Sequence, residues 1–175
     1  GPGGRQEWQR FDMYAAGAIL VNSEGKRFVN EDSADREFVR GTLQQPGAVS
    51  FIVFDRRVAE IFNQWPMVVS SVPGVAEKSG IGGWGLVDDF VACGSIQVAD
   101  SIDAVVAKMA GVSGVQISPA GLRETIAQWN GSAKAGHDPE FKRTKFGVDG
   151  TLGAGIATPP FYIHGPASAL ACFTA

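Results

Sequence analysis

The stretch "VSFIVFDRRVAEIFNQW", residues 49–65, joins a run of strand-forming residues to an amphipathic helix across a single aspartate. Val49 to Phe54 is apolar at every position but Ser50, and β-branched or aromatic side chains dominate it. Asp55 follows as a helix N-cap. Val58, Ile61, Phe62 and Trp65 then fall on one helical face, and Pro66 ends the pattern. It reads as the best strand in the chain.

The order of the other elements decides what kind of sheet. Ala18-Ile19-Leu20-Val21 reads as a strand, Asn22 to Gly25 as a turn, and Arg27-Phe28-Val29 as the strand returning from it. Asp32 to Arg40 reads as a short helix, with Ala34 and Phe38 four apart. Val68-Val69 and Phe90-Val91 read as extended, around a glycine-rich loop. Asp100-Ser101 caps a helix striped by Ile102, Val105, Val106 and Met109, which Gly111 ends. Ser118-Pro119 opens another, with Leu122, Ile126 and Trp129 on one face and Asn130-Gly131 as its stop. Residues 132–158 read as loop, and Phe161 to His164 as a last strand. Strands and helices do not alternate regularly. The expected class is α+β, a small mixed or antiparallel sheet with packed helices, not a doubly wound one.

The chain has 175 residues, 45% of them apolar and 19% charged. That length supports one domain with a real core, burying roughly 70% of its unfolded surface. A net charge of −3 with no basic block argues against nucleic acid and anionic membrane as partners. No apolar run reaches the ~20 residues of a membrane span, and no signal peptide is visible, so a cytoplasmic location is expected. The two cysteines, Cys93 and Cys172, sit in apolar settings and read as buried thiols. His137 and His164 are the only histidines, which excludes an all-histidine metal site, and no spacing suggests zinc.

Several motifs carry more than one reading. Gly80 to Gly85 spells G-x-G-x-x-G, but no buried strand precedes it and no helix follows, so a loop is expected and not a dinucleotide cradle. His137-Asp138 lies between Gly136 and Pro139 and reads as a solvated loop. Tyr162 and His164 are two apart on a strand and share a face; they are either a hydrogen-bonded core pair or a catalytic pair. Arg27 and Glu31 share a face likewise. With Asp35 and Arg36 they read as solvated charge or as a charge network at an interface or cleft.

Five ordered blocks resemble the capping (substrate) domain of the fumarate reductase/succinate dehydrogenase-like FAD-dependent oxidoreductases, which include 3-ketosteroid dehydrogenases and urocanate reductases. They are "GAILVNSEGKRFVNE", "VSFIVFDRRV", "VADSIDAVVAKMAGV", "LRETIAQWNGSAKAGHDPEFKR" and "PPFYIHGPASALACFTA". Together they span most of residues 17–175.

The resemblance implies a single capping domain over 1–175, with 1–16 and 159–175 as its connections to an FAD-binding domain of the same polypeptide. FAD would be the parent's cofactor and would not be bound by this segment. The parent would move hydride between flavin and a small organic substrate. Tyr162 and His164 would be the catalytic candidates, and Arg27, Glu31 and Arg36 the substrate or domain-interface candidates, with no metal. Where fumarate reductases of the family carry an arginine acid, this chain has Ala59. The Arg of their Glu-x-x-x-Arg path is displaced, with Asp35 at that position and Arg36 one late, and their His-Thr reads Phe173-Thr174. These departures imply a substrate other than fumarate, bulkier and less charged. The alternative is a stand-alone α+β ligand-binding or interaction module without redox activity.

Overall fold

The computed structural model describes residues 13–14, 16–33, 35–64, 67–68, 84–147 and 153–168. Its main sheet has four strands, β1 (Ile19–Val21), β2 (Val49–Asp55), β5 (Ile96–Ala99) and β6 (Phe161–Ser168), in the order β1-β2-β6-β5. Every neighbouring pair is antiparallel. Two short strands, β3 (Met67–Val68) and β4 (Trp84–Gly85), pair separately. The helices are α1 (Asp35–Leu43), α2 (Arg56–Phe62), α3 (Val87–Ala92), α4 (Ile102–Ser113) and α5 (Pro119–Ala135). The fold is α+β.

The sheet is covered on both faces, as its apolar central strands require. One face presents Leu20, Phe54 and Tyr162 to Val58, Ala59 and Phe62 of α2, Val87 and Phe90 of α3, and the entry residues Met13 and Tyr14. The other presents Ile19, Val21, Phe51, Val53 and Ile163 to α4 and α5, through Val105, Val106, Met109, Leu122, Ile126 and Trp129. Full burial of each large apolar side chain contributes roughly 1.5–3 kcal/mol, so these two layers supply the main stabilisation.

Local signals explain several boundaries. Asp55 accepts a hydrogen bond from Arg57 N and starts α2; Ser101 and Ser118 cap α4 and α5 the same way, through Ala104 N and Gly121 N. The turn 22–25 docks onto the start of α5, with Ser118 N donating to Ser23 O. The approach is so close that a Cβ on Gly121 would lie 2.0 Å from Glu24 O. Only glycine fits there.

Other expectations are corrected. Arg27-Phe28-Val29 is not a strand: it makes one bridge, Val21 to Arg27, and the partner of β1 is β2. Phe90-Val91 is helical, inside α3, where Asp88 and Asp89 favour the first turn and Asp89 accepts from Leu86 N. Gly111 and Gly131 do not end their helices. Chain continues to left-handed glycines, Gly114 (φ 72°) and Gly136 (φ 64°), which close the last turns as C-caps. A mid-helix glycine costs only about 1 kcal/mol, less than the packing of the flanking apolar residues returns. Helix α2 ends at Phe62; Trp65 and Pro66 lie outside the described residues, as do Val69, Gly80 to Gly83, Cys172, Phe173 and Thr174. Cys93 is exposed at the end of α3 and is not a buried thiol. The strand expected at Phe161 to His164 runs on to Ser168 and is hydrogen-bonded on both sides.

Candidate functional site

Two groups of polar side chains stand out, one at the outer edge of β1 and one on β6. The first is a buried charge quartet. Arg27 leaves the turn after β1 and reaches Glu31 through Nε (2.9 Å to Oε1) and Nη2 (2.5 Å to Oε2). The same Nη2 donates to Asp138 Oδ2 at 2.9 Å. Arg143 Nη1 lies 3.3 Å from Glu31 Oε2. Glu31 Oε1 also accepts from Leu20 N, at 3.1 Å. Arg143 donates to the carbonyls of Ala18, Lys145 and Tyr14. Two cations and two anions thus neutralise each other. Backbone groups also answer Glu31, Asp138 and Arg143, which helps the fold tolerate their buried charge.

Trp129 is the aromatic floor of this quartet. Both guanidinium carbons sit over its ring, Arg143 at 4.1 Å and Arg27 at 4.9 Å from the centroid, and Phe146 stacks beside it. Its Nε1 has no acceptor among the described residues. A cleft of about 630 Å³ opens beside it, walled by Lys26, Gln128, Ser132 and Glu140 among others.

The electrostatics follow from this packing. Burial works against the Arg27 charge, but hydrogen bonds and attraction from Glu31 and Asp138 outweigh it and raise its pKa. Burial likewise opposes ionisation of Asp138. Arg27 and the N–H groups of Phe141 and Arg143 prevail, so its carboxyl sits below the ordinary aspartate range. Arg143 is lowered, chiefly by burial and then by the neighbouring Arg27, against the pull of Glu31 and Asp32.

Two residues of the expected charge network, Arg27 and Glu31, are in contact. Their other partners are Asp138 and Arg143, not Arg36. Arg36 is exposed on α1, away from the quartet's hydrogen bonds, and the Asp35 side chain lies outside the description. Asp138 is buried at 2% exposure, against the expectation of a solvated loop, while His137 beside it is exposed. The signal for Asp138 was present. An aspartate before proline favours a turn, and Asp138 Oδ1 accepts from the N–H of Glu140 and Phe141. Nothing local marks Arg143.

The second group is Tyr162 and His164 on β6, facing the α2–α3 side. Tyr162 stacks on Phe54, with ring centroids 5.1 Å apart and planes 4° off parallel. Burial raises its pKa, and the carboxylates of Asp88 on α3 and Glu60 on α2 raise it further, with Arg56 pulling the other way. The phenol therefore stays protonated at neutral pH, a donor and not a base. His164 is half-buried, with Nδ1 3.0 Å from Ser95 O. The strand alternation thus places both side chains on one face, as their spacing required.

Among the described residues, no group of three or more His, Cys, Asp or Glu side chains is arranged to hold a metal. No helix there is long and apolar enough to cross a membrane. All the strand pairs described are antiparallel. The described residues thus contain no βαβ crossover of the kind that cradles a dinucleotide pyrophosphate.

Comparison with known proteins places the chain. A family model described as "FAD binding domain" matches residues 9–169. Two proteins named fumarate reductase (cytochrome), from Shewanella frigidimarina and its strain NCIMB 400, are each 30% identical over 127 residues, 73% of this chain. The chain spans only 17% of their length. Among solved structures, the open conformation of a flavocytochrome c3 fumarate reductase matches with TM-score 0.66 at 18% identity, over 90% of this chain and 22% of that one. A 3-ketosteroid Δ1-dehydrogenase from Sterolibacterium denitrificans, in complex with 1,4-androstadiene-3,17-dione, matches with TM-score 0.62 at 20% identity, over 92% and 28%. A solution NMR structure of a fumarate reductase flavoprotein subunit from Lactobacillus plantarum matches with TM-score 0.55 at 23% identity, over 91% and 86%. The structural likenesses establish a shared fold, and the family match establishes descent. The chain therefore belongs to the FAD binding domain family, whose cofactor is FAD.

Proposed function

We propose that this chain is the substrate-capping segment of an FAD-dependent oxidoreductase, closing over a flavin held elsewhere in the same polypeptide. The parent moves hydride between the flavin and a small organic substrate, and the cap excludes water and orients that substrate. Tyr162 and His164 are the catalytic candidates, with the Tyr162 hydroxyl donating to a carbonyl oxygen on the substrate. Arg36, on the exposed α1, faces the flavin-bearing part, and Arg27 and Glu31 act from inside by holding the entry segment.

The observation that carries this reading is the setting of Tyr162. Its ring is fixed against Phe54, and its phenol is kept protonated by burial and by Asp88 and Glu60. A positioned neutral phenol is what donation to developing charge requires. The same two carboxylates, opposed by Arg56 alone, disfavour a dicarboxylate and favour a neutral substrate such as a cyclic enone. Ala59 supports this too: at 1% exposure within the core, it leaves no room for an arginine. The rival reading, a stand-alone ligand-binding module, draws on the cleft beside Trp129.

The test is Tyr162→Phe in the full-length flavoprotein. Turnover falls more than tenfold, about 1.4 kcal/mol in the barrier, while flavin content and melting temperature stay nearly unchanged. Normal turnover, or loss through unfolding alone, overturns the assignment. A stoichiometric flavin band retained by this chain alone overturns the division of labour.

A further inference from the structure

The segment that feeds β6 is held from two sides. On one side, Asn130 of α5 makes a paired contact with Ile156: Asn130 Nδ2 donates to Ile156 O at 3.0 Å, and Ile156 N donates to Asn130 Oδ1 at 2.6 Å. Gly155 adopts φ +66°, and a Cβ there would lie 2.2 Å from Asn130 Oδ1, so the loop passes this side chain where only glycine fits. On the other side stands Asp55, fully buried. Its Oδ2 accepts from Ala157 N at 3.1 Å and Thr158 N at 3.0 Å, while Arg56 N donates to Thr158 O. Arg57 holds the same carboxylate through Nε and Nη2 and reaches on to Gly155 O. Asp55 therefore does far more than cap α2.

These clamps sit where the β2–β6 ladder begins. Asp55 is opposite Phe161, and the next pair along is Phe54 with Tyr162. Strand side chains alternate, so a slip of one residue exchanges the faces of a whole strand. Tyr162 and His164 would then turn toward α4 and α5, and Phe161 and Ile163 toward α2 and α3.

We propose that Asn130 and Asp55 are positioning residues that together hold residues 155–158 and so set the register in which β6 presents Tyr162 and His164 to the α2–α3 side. The bearing of this on catalysis rests on the role given to Tyr162 above; the register assignment does not.

The experiment uses Asn130→Ala and Gly155→Ala in this chain, with Arg123→Ala as a surface control. Amide exchange is read at Ile156, Ala157 and Thr158, and the Tyr162 phenol is titrated by NMR. Both clamp variants accelerate exchange at those three amides by about tenfold or more, and the Tyr162 midpoint falls toward that of a free tyrosine as its ring leaves Phe54 and the carboxylates of Asp88 and Glu60. The control changes neither. Asn130→Asp keeps the acceptor for Ile156 N and restores slow exchange there, which covers the case in which Asn130→Ala fails to fold. A fall in melting temperature with faster exchange across the whole sheet and an unmoved Tyr162 titration overturns the proposal. So does an unchanged loop in both clamp variants. Normal turnover by Tyr162→Phe overturns the catalytic reading alone and leaves the register result standing.

Discussion

Arg27, Glu31, Asp138 and Arg143 are exposed by 9%, 1%, 2% and 2%, and Tyr162, across the sheet, by 8%. Burial alone does not separate them. What separates them is how their polar atoms are answered. In the quartet, each charge faces an opposite charge, and the spare donors and acceptors go to Leu20, Tyr14, Ala18 and Lys145. At Tyr162 the ring is answered by Phe54, but the surrounding charges are unbalanced, two carboxylates against one guanidinium. A balanced set holds the fold. An unbalanced one tunes a group for chemistry.

The sharpest way to break this contrast is Glu31→Ala. It leaves Arg27 with Asp138 only and removes the carboxylate from Arg143. Breaking one partner out of a buried ion network costs about 3–5 kcal/mol, and denaturant unfolding should show a loss of that order. A loss under about 1 kcal/mol, no more than an exposed ion pair is worth, would mean that the quartet is not the fold's lock.

A smaller effect is expected at Asp138, and it carries a pH signature. The folded-state pKa of Asp138 is lowered, so its ionised form contributes stability that is fully present above the unfolded aspartate value of about 3.9. That contribution is lost as pH falls through the folded value. Asp138→Asn should therefore lower stability at neutral pH by about 1–3 kcal/mol and flatten its decline below about pH 4. An acid limb identical to the parent chain's would show that Arg27 does not hold Asp138 ionised.

The least effect is expected from Arg123→Ala, which removes the exposed pair with Asp103 on the outer surfaces of α4 and α5. Such pairs are worth within about 0.5 kcal/mol. A thermal melt shifted by several degrees would show that surface charge matters here as buried charge does.

How legible this was in the sequence depends on how local each signal is. Val49–Asp55, the Ser101 and Ser118 caps and the shared face of Tyr162 and His164 are set by neighbouring residues, and they formed as their patterns required. Arg27-Phe28-Val29 failed as a strand because the outer edge of β1 is answered by side chains and not by a second ladder. Leu20 N donates to Glu31, Ala18 O accepts from Arg143, and only Val21 bridges to Arg27. Phe90-Val91 failed because two apolar residues fit either period, and Asp88-Asp89 before them tipped the choice to helix. Gly111 and Gly131 misled because a glycine inside a packed helix is a small local cost set against long-range gains. Arg143 was illegible for a different reason: the partners that bury its charge, Tyr14, Ala18 and Glu31, are more than a hundred residues away.

The sheet order has a consequence for how the molecule is made. The strand that sits between β2 and β5 is the last one described, residues 161–168. Synthesis delivers β1 and β2 early, and they can pair at once. Strand β5 then waits about sixty residues for a neighbour, and β2 carries an open edge through the same interval. A ribosome-bound chain therefore exposes at mid-synthesis the β2 and β5 edges that β6 later joins, sites prone to wrong partners. Closing the sheet joins segments far apart in sequence, the slow class of contact. The burden falls on the nascent chain until residues 161–168 relieve it.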